Sequence, residues 1–138
     1  MRILVTGSRD WTNRNAIGHA LMDGYRQWWS KTHPDPGEND WMMTMVQDGV
    51  TLVHGDCRGA DRIAADWARQ LGWTVEPHPA DWKMGKAAGR WRNQHMVKLG
   101  ADVCLAFYLT GAENSGTQDC VAKATEADIP VLSYREPW

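Results

Sequence analysis

Glycine, arginine and small hydroxyl residues recur together in four short stretches of this chain. They are Thr6-Gly7-Ser8-Arg9-Asp10, His54-Gly55-Asp56-Cys57-Arg58-Gly59-Ala60-Asp61, Gly89-Arg90-Trp91-Arg92-Asn93 and Ser115-Gly116-Thr117. Glycine lets the backbone approach a ligand closely, hydroxyls and free amides donate to phosphate oxygens, and a guanidinium offers paired donors to phosphate. Together these types suit retention of one phosphorylated, nucleotide-like ligand. Three of the stretches follow a short apolar run and open a helical pattern, which is where an α/β sheet gathers its loops at one edge.

Each stretch also has a plain structural use. Gly7 permits a tight turn, Ser8 offers a hydroxyl and Arg9 a charge, but a glycine turn beside a solvated arginine has the same sequence. The spacing is not G-x-G-x-x-G, which disfavours dinucleotide oxidoreductase chemistry. In the second stretch Gly55 and Gly59 free the backbone, while Asp56 and Asp61 suit ribose hydroxyls or the orientation of Arg58. Asp56 would equally cap the helix, and Asp61 would favour its positive end. His54-x-x-Cys57 lacks two ligands of a zinc site, so no metal is expected. Arg92 falls near the buried face of its helix and needs an anion there, either a ligand phosphate or an internal carboxylate. Replacing Arg92 with Ala is therefore expected to remove binding with little loss of fold. Arg90 reads as solvated and His95 as packed. Ser115, Gly116 and Thr117 form an anion cradle at a helix start, a role compatible with capping by Ser115.

The elements that must position these loops alternate. Ile3-Leu4-Val5, Val50 to His54, Trp73 to Glu76, Val103 to Phe107 and Ile129 to Leu132 read as strands, the fourth apolar enough to lie inside the sheet. A first helix, capped by Thr12, carries Ala16, Ile17, Ala20, Leu21, Gly24, Tyr25 and Trp28 on one face. Residues 31–48 form an inserted connection, broken by His33-Pro34-Asp35-Pro36-Gly37 and holding a helical piece from Asp40 to Gln47. Helices follow over Ala60–Leu71, over about Lys86–Leu99 with Ala88, Trp91, His95 and Leu99 on one face, and after Ser115, which has capping-box spacing to Gln118. Right-handed crossovers then predict an α/β, Rossmann-like three-layer sandwich with a mainly parallel sheet of five or slightly more strands in the order 3-2-1-4-5. The loops after Val5 and Phe107 should face each other at the switch point.

At 138 residues the chain suits one domain, and its net charge of −2 argues against bulk attraction to nucleic acid or an anionic membrane. It has no 18-residue apolar run and no signal-peptide pattern, and Cys57, Cys104 and Cys120 are widely spaced, so a reducing, cytosolic setting without disulfides is expected. Nine tryptophans are a surplus best explained by packing, with Trp11, Trp82 and Trp91 placed near the loops where stacking on a base is also available.

The same stretches resemble the SLOG superfamily, which joins the LOG-type nucleotide phosphoribohydrolases and DprA, and within it the YspA-like branch. The resemblance covers nearly the whole chain: Gly7-Ser8-Arg9-Asp10-Trp11, the H-G-x-x-R-G-A-D run His54 to Asp61, Pro79-Ala80-Asp81-Trp82, the G-x-x-R-N-x-x-M run Gly89 to Met96, and Gly116-Thr117-Gln118-Asp119. It implies a domain that binds a nucleotide or nucleotide-derived ligand as a sensor or sequestering protein, with a homodimer and no cofactor. The implied ligand contacts are Gly7, Ser8, Arg9, Gly55, Asp56, Arg58, Arg92, Asn93, Ser115, Gly116 and Thr117. LOG enzymes cleave the N-glycosidic bond of nucleoside monophosphates through an arginine, matched by Arg92, and a glutamate in P-G-G-x-G-T-x-x-E. Here Glu113-Asn114 replace the paired glycines and Cys120 replaces the glutamate, and a thiol is a poor substitute for a carboxylate facing an oxocarbenium ion. If the chain is an enzyme, Arg92, Asp56 and Asp119 are the catalytic candidates, with Asp61 a further carboxylate. Single-stranded nucleic-acid binding of the DprA kind is the third alternative, weakened by the acidic balance.

Overall fold

The computed structural model describes residues 1–33 and 40–137. Five strands, β1 (Arg2–Gly7), β2 (Thr51–His54), β3 (Thr74–Pro77), β4 (Val103–Leu109) and β5 (Val131–Glu136), form a sheet in the order β3-β2-β1-β4-β5, and every neighbouring pair is parallel. The helices are α1 (Arg14–Thr32), α2 (Asp40–Asp48), α3 (Ala60–Gln70), α4 (Ala88–Leu99) and α5 (Ser115–Glu126), with a 3-10 turn at Trp82–Met84. This is the α/β, Rossmann-like sandwich and the strand order that the alternation predicts.

Both faces of the sheet are covered, which is why its inner strands are apolar at consecutive positions. Ile3 and Val5 pack with Leu21 and Tyr25 of α1 and Ala64 and Ala68 of α3. Leu4 turns the other way and packs with Met96 and Val97 of α4 and Cys120 and Ala124 of α5. Ile3, Leu4 and Val5 are wholly buried, worth about 1.5–3 kcal/mol each. The alanines of α3 let it lie close to the sheet, and Gly18 of α1 leaves room for the Trp67 ring, which an added Cβ would approach to 2.8 Å.

Three local expectations change. Asn13, not Thr12, caps α1 by accepting from the Ala16 amide at 3.1 Å. Buried Trp11, edge-on to Phe107 and donating to the Asn13 carbonyl, anchors the chain so that the helix begins one residue later. The buried face of α4 is Ala88, Asn93, Met96 and Val97, while Trp91, His95 and Leu99 are exposed, because Asn93 is drawn inward by bonds to α5. Ser115 is the first residue of α5 rather than its cap, and Asn114 in the cap position spends its amide on the Leu109 and Ala112 carbonyls.

Of the connection expected over 31–48, residues 34–39 lie outside the described residues. The rest closes with α2, which has no buried residue and reaches the core only through half-buried Trp41 and Met45. Among the described residues no helix is long and apolar enough to cross a membrane.

Gly59 and Gly72 separate two costs. Both have positive φ, 79° and 76°, but an added Cβ at Gly59 would lie 2.6 Å from the Arg9 backbone, whereas Gly72 has nothing within 4 Å. Gly72→Ala should cost about 1 kcal/mol of backbone strain, and Gly59→Ala should cost roughly 2–4 kcal/mol because overpacking is added. Urea denaturation of the two variants measures the difference; equal losses would mean the two loops are not in contact.

Candidate functional site

A cleft of about 490 Å³ opens at the carboxyl end of the sheet, over the ends of β1 and β2, the start of α4 and the first turn of α5. This is the switch-point position, since β1 and β4 are neighbours whose helices leave toward opposite faces. Of the residues singled out in the sequence, Gly7, Arg9, Gly55, Arg58, Arg92, Asn93, Ser115, Gly116 and Thr117 line it. Ser8, Asp56 and Asp119 do not. Ser8 is buried, and its hydroxyl accepts from the Asp10 amide at 3.2 Å. Asp56, at a φ of 56°, pairs with Arg62 at 3.5 Å. The Asp119 carboxylate accepts from Asn93 at 3.1 Å and from Lys123 at 2.7 Å. Cys120, at the position of the family glutamate, is wholly buried in the layer between the sheet and the α4–α5 pair.

Arg92 is held by carbonyls rather than by a carboxylate. Its Nη1 donates to the Gly55 carbonyl at 2.5 Å and to that of His78 at 3.4 Å, and its Nε donates to Asn93 Oδ1 at 2.8 Å. Asn93 in turn donates to the Gly116 carbonyl at 3.3 Å. The R-N pair thus ties the ends of β2 and β3 to α5. Arg92→Ala would strip a hydrogen-bond partner from the Gly55 carbonyl, so a loss of stability is expected beside the expected loss of binding.

The charges in the cleft are unbalanced. Asp10 is paired with Arg58 at 3.2 Å, but Arg9, Lys86, Arg90 and Arg92 make no ion pair among the described residues. Five cations, Arg9, Arg58, Lys86, Arg90 and Arg92, line the cleft against the three carboxylates Asp10, Asp61 and Glu113, so in a chain of net charge −2 this edge carries a positive excess that attracts anions. Glu113 moderates it: its carboxylate accepts from the Ser115 amide at 2.6 Å, and the Ser115 hydroxyl and amide hold its pKa below the usual value.

Asp61 is the residue whose weight sequence reasoning missed. It lines the cleft at 4 % exposure, and one oxygen accepts from the Gly55 amide at 3.0 Å and the Cys57 amide at 3.3 Å. It therefore shapes the β2–α3 loop rather than simply facing the positive end of its own helix. Its signal was periodicity, since Asp61 shares a helical face with Ala64, Ala65 and Ala68. Trp82, Lys86 and Glu113 also line the cleft. Trp11 is a core residue, and Trp91 lines a separate outer groove with His78 and His95.

No three His, Cys, Asp or Glu side chains converge as a metal site among the described residues. His54 is buried, and its Nδ1 accepts from the Asp56 amide at 2.9 Å; burial pushes its pKa down to about 4, so it is neutral at physiological pH.

Burial is also the main cause that raises Asp61 from 3.8 to about 6, against smaller opposing effects from the Cys57 and Gly55 amides and Arg92. The folded state keeps this proton after the unfolded chain has lost it, so the stability it contributes is full below pH 3.8 and falls until about pH 6. Asp61→Asn keeps an acceptor for both amides and removes the titration. The stability of the variant relative to the native chain should rise by about 3 kcal/mol between pH 3.5 and 7, read by urea denaturation across that range. A difference that does not change with pH would place the carboxyl in water.

Comparison with known proteins gives the family. The family model described as YAcAr, the YspA, cpYpsA-related SLOG family, matches residues 40–85, from α2 to just past the Trp82 turn. The Gene 61 protein of Mycobacterium phage D29 is 42% identical over 139 residues, covering 96% of this chain and 95% of that protein. No solved structure matches. With that family match and a relative similar along nearly its whole length, the chain belongs to the YspA, cpYpsA-related family of the SLOG superfamily.

Proposed function

We propose that the cleft binds a nucleotide or nucleotide-derived molecule, its phosphate resting on the first turn of α5, and that the protein acts as a sensor or sequestering protein for it. Family membership points to nucleotide-related binding or activity. The observation that carries the position of the phosphate is Gly116. The other cleft glycines have internal reasons to lack a side chain. A Cβ on Gly7 would lie 2.6 Å from that of Ala60, one on Gly55 would strike the Arg92 guanidinium, and one on Gly89 would come within 3.0 Å of Trp82. Gly116 has nothing within 4 Å and no left-handed φ, and it sits in a helix, where alanine is the better former. Its bare backbone faces the cleft, where the amides of a helix start attract an anion. The unpaired Arg9, Lys86, Arg90 and Arg92 supply the matching charge.

Gly116→Ala tests this because its two effects have opposite signs. The variant should be more stable than the native chain by about 0.5–1 kcal/mol, a rise of roughly 2–4 °C in Tm. Thermal shift with nucleoside monophosphates, ADP-ribose, NAD and cyclic nucleotides should show a ligand that stabilises the native chain by several degrees and the variant by much less. An equal ligand shift in both would move the phosphate away from α5.

Asp61 favours a second reading, N-glycoside hydrolysis of a nucleoside monophosphate by water to free base and ribose 5-phosphate. It is the buried carboxyl of the cleft, whereas Asp56 and Asp119 are engaged outside it. Release of free base, lost in Asp61→Asn, supports hydrolysis; intact nucleotide after prolonged incubation leaves binding alone.

A further inference from the structure

Among the described residues Trp11, Trp29 and Trp73 are core material, at 2 %, 4 % and 7 % exposure, and Trp28, Trp41 and Trp67 pack half-buried against that core. Trp82 is different. It leaves 52 % of its surface open and lines the same cleft as Gly116. Its position is nevertheless fixed from several directions. The 3-10 turn that carries it is held by the Asp81 carboxylate, which accepts from the Lys83 amide at 3.2 Å, and by the Gly85 amide bonding back to the Trp82 carbonyl at 3.1 Å. The tip of the indole rests on Gly89 in the first turn of α4, where a Cβ would stand 3.0 Å from Cη2. From the β1 loop the Arg9 guanidinium sits 5.5 Å from the ring centroid.

An indole braced by α4 and by an arginine, with half its surface open to a cation-lined cleft, is arranged to receive a flat aromatic ring. Such a ring gains stacking area on the indole, and its π-face is attracted by the neighbouring Arg9 guanidinium. We infer that Trp82, with Arg9 against it, is the base-stacking platform of the cleft, so that the ligand is recognised by an aromatic base as well as by phosphate. This rests on the reading that the phosphate lies at α5. It narrows the ligand class to molecules carrying an intact nucleobase and sets sugar phosphates aside. Trp82 contributes stacking area with little hydrogen-bond readout, so discrimination between bases falls to other groups.

Titration calorimetry with nucleoside 5′-monophosphates on one side, and ribose 5-phosphate and inorganic phosphate as base-free probes on the other, tests this with the native chain, Trp82→Ala and Trp82→Phe. The native chain should hold at least one monophosphate at least tenfold more tightly than ribose 5-phosphate. Trp82→Ala should lose roughly 5- to 150-fold for that nucleotide, with ribose 5-phosphate unchanged, while Trp82→Phe keeps most of the affinity. Native and variant chains are compared for Tm and for mass by sedimentation. Three results would overturn the assignment: unchanged nucleotide affinity in Trp82→Ala, an equal loss for ribose 5-phosphate, or a change of mass that makes the indole an interface between copies. In each of these the phosphate reading survives if ribose 5-phosphate still binds the native chain. If no phosphate compound binds the native chain, both fall together.

Discussion

Everything at the functional edge depends on where the backbone of Ser8 lies. Its amide donates to the Phe107 carbonyl at 2.9 Å, and its carbonyl accepts from Trp11 at 3.3 Å and from Ala60 at 3.1 Å. One residue thereby joins the end of β1 to the end of β4 and to the start of α3. The contact is open only because Gly59 carries no side chain where the loops cross, and because Gly7 clears Ala60 and Phe107. With the two loops locked, Arg9 and Arg58 are delivered to the rim and Asp61 to the floor. The glycines of the first two stretches are thus spent on assembling the cleft, leaving Gly116 as the glycine that internal packing does not explain.

A second constraint works from the other side of the sheet. Arg92 and Asn93 are adjacent on α4 yet reach in different directions, one to the carbonyls of Gly55 and His78, the other to Gly116 and Asp119. A guanidinium satisfied by carbonyls keeps its charge, because carbonyl dipoles orient it without neutralising it. The network is therefore structural and electrostatic together. It holds β2, β3 and α5 in register and leaves net positive potential in the cleft.

The architecture was legible because it follows from patterns that do not depend on distant partners. Apolar runs, glycine stops and crossover handedness give the strand order, and the motif loops then fall at one edge. What was not legible needed knowledge of a neighbour. Thr12 and Asn13 are equally good caps in isolation, and buried Trp11 decides between them. On α4 the hydrophobic residues Trp91 and Leu99 suggest one face, but Asn93 outweighs them because its bonds to α5 require burial. Ser8 has the right side chain for a ligand contact, yet its hydroxyl is taken by a local turn. Asp61 was undervalued because a carboxylate early in a helix has a ready surface explanation, and only the amides of Gly55 and Cys57 make its burial tolerable.

The Glu113 carboxylate on the first amide of α5 has a consequence for how this edge meets solution. The end of the helix already has a resident anion supplied by the chain itself, so any incoming anion that takes the Ser115 amide does so by exchange rather than by simple addition. An exchange site favours guests of higher charge than the resident, since a monoanion replacing a carboxylate gains little at a helix end. Displacing Glu113 also releases its hold on Ser115 and, through it, on the segment between β4 and α5. Under the proposed binding mode, occupancy of the helix end and the conformation of that segment would be thermodynamically linked.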